Sequence, residues 1–500
     1  MSGRAPNRRT RLLSLAALLA GASLPLAFAP FGVSAIAVIS PALLWLIWGG
    51  AAPAQAARLG FFWGAGAFLG GTYWLYISIH IFGEAPAPLA VLLMLALVAI
   101  MACYTALLGF LFARAGVRGG LGWFVLLPGG WVLVEWLRGW LFSGFPWLSL
   151  GYAFSDGWLA AYGPVLGVYG VSLAAAWLAG GGVALIRGGA RERVLALLIG
   201  GAVLGGGALL SRITWVTPGE DETRVALIQG AVPQDEKWLP EELEPTKELY
   251  RDLTRSVLDH QLIIWPEAAI PALVREEFAY LEAMRIEAGA RGADIVTGML
   301  ERDPDDGRYY NSLLVLGDPP AIYRKRHLVP FGEYFPVPEF VRHWMRLMSL
   351  PYVDISAGDS RPEPLPVAGL RAAASICYED AFGAEQRVFL PAADVLINVS
   401  NDAWFGDSIA PHQHLQIARM RAIEAGRYLL RATNTGISAV IGPDGTIVKT
   451  SPQFQTHVLT ATIRPYAGAT PFVTIGNRWL IIVALAGLAA LVIARRRDPV

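Results

Sequence analysis

Three reactive side chains follow apolar runs of this sequence, and together they have the functional groups needed for acyl chemistry. Cys377 ends one apolar run, Glu267 comes directly after a second run, and Lys325 follows a third. A thiol with its reference pKa of about 8.5 is mostly protonated at neutral pH and needs a base before it becomes a nucleophile. A carboxylate could take that proton. An ammonium could stabilise the thiolate and then the oxyanion of a tetrahedral intermediate.

The segments around these residues predict an α/β layered domain that begins near Thr223. Short apolar runs alternate there with stretches whose apolar residues recur at helical spacing. Open α/β sheets place their sites at strand ends, so three side chains at strand ends could meet in one site. The predicted strands are 224–229, 260–265, 293–299, 310–316, 321–325, 372–376, 395–399, 438–441 and 446–449, and the predicted helices are 241–262, 278–290 and 413–426.

Each of the three residues also has a simpler interpretation that the sequence leaves open. Glu267 follows a Trp-Pro pair and could be an exposed turn residue. Lys325 has basic neighbours and could belong to a solvated strand end. Cys377 could be a small core residue, which is the common fate of a free cysteine. Residue spacing alone does not decide whether the three side chains meet.

The composition predicts a membrane protein with one water-soluble part. The chain has 500 residues, of which 54% are hydrophobic, and a formal net charge of +0, so nothing in its overall charge suggests nucleic-acid binding. Four of the 40 acidic residues precede position 220, and 35 lie between 220 and 470. The acidic residues therefore mark the soluble part, with apolar sequence on both sides of it.

Apolar stretches of about 20 residues predict eight membrane-spanning helices. Seven spans before the soluble part would place it on the side opposite to the N-terminus. Thirteen arginines, from Arg4 to Arg497, then fall in loops and tails on one face, which predicts that both termini are cytoplasmic. Ala27-Phe28-Ala29 also resembles a signal-peptide cleavage site, but Pro30 directly after it disfavours cleavage. The predicted spans are 12–29, 33–49, 59–80, 89–113, 120–138, 163–186, 194–211 and 479–494.

These spans divide the chain into three predicted parts. Residues 1–212 form a membrane domain of seven helices, 213–478 form an extracytoplasmic catalytic domain, and 479–500 form a last span with a basic cytoplasmic tail. The two cysteines fall in different parts, which excludes a disulfide scaffold. Cys103 lies in an apolar span and is expected to be a buried, inert thiol.

Other polar residues have weaker functional signals. His412 and His414 are poorly spaced for a shared metal ion, so neither a metal site nor a cofactor is expected. Glu135 lies three residues before Arg138 near the outer end of a predicted span, and we expect a local ion pair there. The apolar segment 340–352 carries Trp, Met and Leu with interspersed Arg, a pattern that suits either an interfacial lid or a core helix.

Five sequence motifs resemble those of a known enzyme superfamily. Trp265-Pro-Glu267, Tyr323-Arg-Lys325-Arg-His-Leu-Val-Pro-Phe-Gly-Glu333 and Cys377-Tyr378-Glu379 are similar to motifs of the nitrilase, or carbon–nitrogen hydrolase, superfamily. The middle motif, together with 401–406 and 431–436, more narrowly resembles the apolipoprotein N-acyltransferase family. The resemblance extends over nearly the whole chain, since the arrangement of spans also fits. It implies a nitrilase-like αββα sandwich on a bundle of eight membrane helices.

The resemblance assigns roles to the three reactive residues and to their neighbours. Cys377 would be the nucleophile, Glu267 the general base and then acid, and Lys325 the group that stabilises the thiolate and oxyanion. Glu333 would orient the lysine. The other implied positions are two supporting residues beside the nucleophile, Tyr378 and Glu379, and two substrate contacts, Trp238 and Asn311.

The resemblance also implies a reaction and its partners. An acyl chain would leave a phospholipid, typically phosphatidylethanolamine, for the thiol, and would then pass to the N-terminal amine of a diacylated apolipoprotein. The implied location is the bacterial inner membrane, with a periplasmic catalytic domain. One alternative is a membrane-tethered amidase that acts on a small soluble substrate with water as acceptor. Another is a transporter with an inactive outer domain, which the retention of all three reactive residues argues against.

Overall fold

A computed structural model of the chain describes residues 8–117, 119–334 and 354–497, with side chains up to residue 490. The predicted lid segment 340–352 lies outside the described residues. The chain divides into two compact units. The first contains the described residues up to Thr214, Phe405–Gln416 and the residues from Thr474 onward, and the second contains Trp215–Trp404 and Ile417–Val473.

Helices occur in both units, and the long ones lie in the first. Every predicted span overlaps a helix, although turns of 3-10 or π geometry extend or precede several of them. The helices, in chain order, are α1 Arg8–Ser23, α2 Ile36–Trp48, α3 Pro53–Thr72, α4 Trp74–Tyr76, α5 Ala87–Ala115, α6 Leu127–Arg138, α7 Gly163–Arg187, α8 Ala190–Leu210, α9 Leu243–Arg255, α10 Phe278–Gly289, α11 Gly383–Gln386, α12 Ala410–Ala425, α13 Pro471–Ile475 and α14 Arg478–Arg497.

Length and hydropathy qualify four helical segments of the described chain as membrane spans. These are Arg8–Ala27, Ala87–Ala115, Trp158–Arg187 and Ala190–Leu210. Two further apolar helices are shorter, Ile36–Trp48 and Arg478–Ala490. The first unit therefore has the helices of a membrane protein, and the count of eight spans stays a prediction.

Cys103 corrects one expectation about the first unit. It was predicted to be buried, but it is exposed on the surface of α5. The same helix exposes several leucines, such as Leu92 and Leu111. In a bilayer, lipid solvates such surfaces, so an apolar sequence does not show which residues of a membrane helix face its protein neighbours.

Glu135 and Arg138 of α6 hold the loop that follows this helix. Glu135 Oε1 accepts hydrogen bonds from Trp131 Nε1 (2.9 Å) and from the backbone N–H of Leu150 (2.8 Å). The guanidinium of Arg138 donates to the carbonyl oxygens of Phe145 and Trp147. Both charged side chains are buried. These hydrogen bonds fix the conformation of the loop, and the expected local ion pair between Glu135 and Arg138 stays a prediction.

The second unit contains two six-stranded sheets and one two-stranded pair. The sheet orders are β13-β2-β3-β4-β5-β6, here the first sheet, and β12-β11-β10-β9-β8-β7, here the second sheet, and β1 pairs with β14. The strands are β1 Val216–Pro218, β2 Thr223–Gln229, β3 Leu262–Ile264, β4 Asp294–Arg302, β5 Tyr309–Leu316, β6 Ala321–Arg324, β7 Leu365–Val367, β8 Leu370–Ile376, β9 Val395–Ser400, β10 Leu429–Thr433, β11 Ala439–Ile441, β12 Ile447–Thr450, β13 His457–Ile463 and β14 Tyr466–Gly468.

Both faces of each sheet are covered, and the central strands reflect this in their sequence. β2, β3 and β4 run parallel, as do β8, β9 and β10. Parallel strands buried on both faces are apolar almost continuously rather than in alternation. Residues 225–228 of β2 and 395–399 of β9 show this pattern, and α9 and α10 pack on the first sheet. The arrangement is that of a nitrilase-like α/β sandwich.

Gln229, at the end of β2, is a buried polar residue that joins the two sheets. Its Nε2 donates to the carbonyl oxygens of Pro452 (2.7 Å) and Gln455 (3.0 Å). Its Oε1 accepts hydrogen bonds from the hydroxyls of Ser438 and Ser451, both at 2.7 Å. Each hydrogen-bonding group of the buried amide is therefore satisfied, which removes the penalty of burying it.

Gly298 of β4 permits the close approach of the turn that carries Glu267. A Cβ atom at this position would lie 2.6 Å from the Cα of Glu267 and 2.9 Å from the carbonyl oxygen of Pro266. Both of these are backbone atoms, which have little freedom to move away. The site therefore depends on the absence of a side chain at Gly298.

We predict that Gly298→Ala lowers the free energy of unfolding by about 1–3 kcal/mol, because the added methyl group overpacks the backbone. Gly289→Ala is the matched control, since a Cβ on this helical glycine would have no neighbour within 4 Å. The control should be neutral or stabilising by up to about 1 kcal/mol. Thermal unfolding of both variants in detergent tests this prediction, and an equal midpoint in the two would contradict it.

Candidate active site

The backbone at Cys377 is bent sharply where β8 ends. Cys377 has φ +52°, in the left-handed region, and a 3-10 turn Cys377–Ala381 follows. Non-glycine residues rarely occupy this region, and the strain is typically stored at functional sites. Asn398 Nδ2 donates to the carbonyl oxygen of Cys377 (3.3 Å) and to Ser375 Oγ (3.0 Å), so a buried amide of β9 holds the bend.

The thiol of Cys377 is surrounded by groups that oppose and favour its ionisation. Burial raises its pKa well above the usual value, and the negative charge of Glu267 raises it further, whereas the positive charge of Lys325 lowers it. Ser400 forms a side-chain hydrogen bond with the thiol, as expected from the register that pairs Ile376 with Val399. The free thiol is therefore protonated at neutral pH, and forming the thiolate requires a base.

Glu267 lies in the turn after β3, with its carboxylate held on both oxygens. Oε1 accepts a hydrogen bond from Asn311 Nδ2 (2.7 Å), and Oε2 accepts one from the backbone N–H of Asn401 (2.8 Å). The next residue, Ala268, has φ +48°. A strained turn and two hydrogen bonds from distant segments thus fix the carboxylate of a residue that is only 7% exposed.

Lys325, after β6, brings an ammonium between two carboxylates. Its Nζ is 2.8 Å from Glu333 Oε1 and 3.7 Å from Glu267 Oε1. Asn311 Nδ2 also reaches Glu333 Oε1 (3.1 Å), so one amide donates to both carboxylates. Burial disfavours the charged form of Lys325, but the negative charges of Glu333 and Glu267 raise its pKa. The ammonium is therefore retained at neutral pH although the residue is buried.

Glu379 binds the end of β8, just before Cys377, and the segment that follows Lys325. Its carboxylate accepts hydrogen bonds from the backbone N–H groups of Ile376 (2.8 Å), Arg326 (2.7 Å) and His327 (3.1 Å), and from the hydroxyl of Tyr323. Burial raises the pKa of this carboxyl, and the backbone donors oppose that change. Glu379 therefore joins the end of β8 to the segment after β6, which carries Lys325.

The two remaining predicted positions lie at the edge of this cluster. Tyr378 is half-buried and packs edge-on against Phe382. Trp238 is 47% exposed, and the residue before it, Lys237, is fully buried. An exposed indole one residue away from a buried charge is suitable for contact with an apolar ligand.

A second buried charge cluster lies beside Cys377, and the sequence had given no role to its members. The guanidinium of Arg431, in β10, binds Asp402 Oδ2 (2.9 Å), Asp380 Oδ2 (3.1 Å) and Asn398 Oδ1 (2.6 Å). Arg431 and both aspartates are buried. Asn398 also donates to the carbonyl oxygen of Cys377, so this cluster stabilises the strained bend through Asn398.

Similarity to known proteins agrees with this geometry. Residues 224–472 match the sequence model of the family described as carbon-nitrogen hydrolase, and residues 20–181 match that of the apolipoprotein N-acyltransferase N-terminal domain. Proteins named apolipoprotein N-acyltransferase from Methylococcus capsulatus, Nitrosomonas europaea and Coxiella burnetii are 44%, 41% and 41% identical. The matches cover 97%, 95% and 93% of this chain, and 96% of each relative.

The chain belongs to the apolipoprotein N-acyltransferase family. This confirms the family resemblance inferred from the motifs and the nitrilase-like fold of the C-terminal part. A solved carbon-nitrogen hydrolase from Helicobacter pylori G27 is 16% identical and covers 52% of this chain and 94% of its own, with a TM-score of 0.36. The fold assignment rests on the family match and on the two sheets described above.

In this apolipoprotein N-acyltransferase family member, the structure brings most of the predicted site residues into one network. Glu267, Lys325, Glu333 and Asn311 are joined by hydrogen bonds and ion pairs. Cys377 is near enough to Glu267 and Lys325 for their charges to shift its pKa. Within the described residues, no group of three or more His, Cys, Asp or Glu side chains could hold a metal ion.

The pKa of Cys377 provides a test of this network with no lipid present. In Glu267→Gln the negative charge that raises the thiol pKa is lost, so we expect iodoacetamide to alkylate Cys377 faster, by about tenfold at pH 8 for a shift of one unit. In Lys325→Met a charge that lowers the pKa is lost, so alkylation should become slower. Peptide mass spectrometry measures both rates.

Cys103 is the internal reference for this experiment, because it lies on α5 in the other unit and its rate should be equal in all three proteins. A change in the same direction for both variants would contradict the charge arrangement described here.

Proposed function

We propose that this protein transfers an acyl chain from a phospholipid to the N-terminal amine of a diacylated apolipoprotein, through a thioester on Cys377. The observation that carries the proposal is the electrostatic coupling of one thiol to a carboxylate and an ammonium inside a buried site. Relatives with 96% of their length matched bear the name apolipoprotein N-acyltransferase, which favours this function over that of a tethered amidase.

In the first step, Glu267 takes the proton of Cys377, and the sulfur attacks the ester carbonyl of the phospholipid. The negative charge that develops on the carbonyl oxygen is stabilised by the ammonium of Lys325, which stays charged because two carboxylates flank it. The intermediate collapses with cleavage of the carbon–oxygen ester bond. Glu267 returns its proton to the departing glycerol oxygen, which leaves a lysophospholipid and an acyl thioester.

In the second step, the amine of the acceptor attacks the thioester carbonyl. Glu267 takes a proton from the attacking nitrogen, the carbon–sulfur bond breaks, and the thiolate recovers the proton from Glu267. The products are an amide and the free enzyme. A thioester retains acyl-transfer potential, so an amine becomes the acceptor as long as the site excludes water.

The membrane helices supply the setting that this reaction needs. Removing an acyl chain from the bilayer costs about 0.8 kcal/mol for each CH₂ group, so a long chain reacts most easily without leaving lipid. The proposed arrangement is eight spans in a bacterial inner membrane, with both termini cytoplasmic and residues 213–478 in the periplasm. The one-sided arginine distribution supports this orientation. Phosphatidylethanolamine is the proposed donor.

We predict that purified protein mixed with phospholipid and no acceptor gains the mass of one acyl group. Hydroxylamine should remove the adduct, because it cleaves thioesters, and Cys377→Ala should gain none. Cys103→Ala is the matched control and should be acylated like the wild type. Intact-protein mass spectrometry gives the readout, and a wild type that stays unmodified would overturn the proposed function.

Adding a diacylated lipopeptide to the acylated protein separates the two enzyme candidates. The acyltransferase yields a triacylated peptide, whereas an amidase with water as acceptor yields free fatty acid and leaves the peptide unchanged. An equimolar mixture of phosphatidylethanolamine and phosphatidylglycerol with different acyl chains then identifies the donor, because the adduct carries the mass of the preferred lipid's chain.

For Trp238→Ala, we expect acylation at limiting phospholipid to slow by about tenfold, because the exposed indole is the proposed lipid contact. Alkylation of Cys377 by iodoacetamide should be unchanged. Phe278→Ala removes another exposed aromatic side chain, at the start of α10, and should leave acylation unaltered. Equal acylation rates in Trp238→Ala and the wild type would exclude this role.

A further inference from the structure

Lys237 is a buried charged residue that the proposed mechanism does not use. Its side chain is fully buried, at 0% exposure. The ammonium donates a hydrogen bond of 3.4 Å to the backbone carbonyl oxygen of Glu267, and its own backbone N–H donates to the carbonyl of Pro233. A positive charge thus lies directly behind the residue proposed as the base.

This environment is unfavourable for an ammonium. Burial lowers the pKa of Lys237 to about 8, and the negative charge of Glu267 opposes that change. Lys247 is another buried lysine of this unit, and its charge is balanced by two carboxylates. Its ammonium is 2.7 Å from both Glu244 and Glu277. Burying a weakly bonded charge costs free energy, and a methionine of similar shape would fill the same space without that cost.

Lys237 contacts the turn that carries Glu267 and fixes the direction of its carboxylate. Ala268 is in the left-handed region, and the turn lies against Gly298. The carboxylate is held in front by side-chain and backbone donors, and the ammonium of Lys237 holds the carbonyl from behind. Groups on both sides of the turn therefore restrict Glu267.

The segment before Lys237 belongs to the same network. Asn401, whose backbone N–H binds Glu267, also donates from its side chain to Gln234 Oε1 (2.8 Å). Asn434 Nδ2 donates to the carbonyl of Val232 (2.8 Å), and its Oδ1 accepts from the N–H of the same residue (3.1 Å). These hydrogen bonds fix the start of the segment that carries Lys237 relative to the carboxylate of Glu267.

We infer that Lys237 is a positioning residue for Glu267, and that the hydrogen bond from its buried ammonium fixes the backbone of the proposed base. It acts through Glu267 and does not touch the reacting atoms. The inference rests on the proposed function, because it assigns Lys237 a part in the same acyl transfer. Glu267 is the charged group that acts on the ammonium in its buried position.

This role distinguishes a hydrogen-bond donor from a side chain that only fills space. Without the donor, the carbonyl of Glu267 loses its contact with Lys237, and the turn that carries the proposed base is less restricted. Thioester formation should then become slower. If Lys237 only filled space, a methionine of similar shape would preserve the rate.

The test compares Lys237→Met and Lys237→Gln with the wild type in the full-length protein. The rate of acyl adduct formation from phospholipid is measured by quenched intact-mass analysis. We expect Lys237→Met to slow acylation by about tenfold, the effect of losing one hydrogen bond from a charged donor. Lys237→Gln keeps a donor and should retain more of the wild-type rate than Lys237→Met. The thermal midpoint of Lys237→Met should equal or exceed that of the wild type, because a buried charge is removed.

Lys247→Met is the matched control, since it removes a buried lysine that has two ion-pair partners away from the site. It should lower the thermal midpoint and leave the acylation rate of the folded protein unaltered. Lys237→Leu gives the same comparison as Lys237→Met if the methionine variant does not fold.

A folded Lys237→Met that is acylated at the wild-type rate would overturn the inference. A glutamine variant that is acylated no faster than the methionine variant would also overturn it, because the hydrogen bond would then have no part. Failure of the wild type to form an adduct is a different result, which overturns the proposed function itself.

Discussion

The ion pair between Lys325 and Glu333, with Glu267 3.7 Å from the same ammonium, is the interaction on which the rest of the site depends. Isolated charges cannot be buried without a large desolvation penalty, whereas a charge set with satisfied hydrogen bonds can. Asn311 completes the set, because its amide donates to both carboxylates. The first sheet supplies all four residues from strand ends or from the segments that follow them. Its antiparallel register of β5 with β6 brings Asn311 beside Lys325, whose backbone N–H donates to the carbonyl of Asn311.

Cys377, the proposed nucleophile, comes from the second sheet, and its surroundings show why the proposed mechanism includes a base. A buried thiol beside a carboxylate has a raised pKa, so it stays protonated until the carboxylate takes the proton. This arrangement suits an enzyme that holds an acyl group as a thioester, because a permanently ionised thiolate would be exposed to oxidation and alkylation. The strained bend at Cys377 is held by Asn398 and, through it, by Arg431. Two buried charge clusters, one from each sheet, therefore enclose the same sulfur.

Much of this fold could be predicted from local patterns in the sequence. The nine predicted strands and three predicted helices after residue 223 all correspond to elements of the structure, and most of their ends differ by a few residues. The predicted helix 241–262 is too long, because α9 ends at Arg255 and β3 begins at Leu262. Five strands were missed: β1, β7, β10, β13 and β14. Four of them are at sheet edges or in the two-stranded pair. The fifth, β10, is a buried strand that contains Arg431, and a charged residue inside a strand interrupts the apolar run by which such strands are recognised.

The burial of Cys103 was predicted wrongly for a related reason. Lipid and the protein interior select the same apolar residues, so the sequence does not show which of the two a membrane helix residue faces.

The sequence by itself determined that three reactive residues follow strand ends, that the acidic residues are concentrated between two apolar parts of the chain, and to which family the motifs belong. These are properties of short segments and of composition, which local chemistry controls. Only the tertiary structure decided which charged and polar groups contact one another. Asn311 donates to both Glu267 and Glu333, Arg431 binds two aspartates, and Lys237 binds the backbone carbonyl of Glu267. Such contacts join residues far apart in the chain, and their energies depend on burial and on distance. Neither quantity can be obtained from spacing along the sequence, because folding alone brings those residues together.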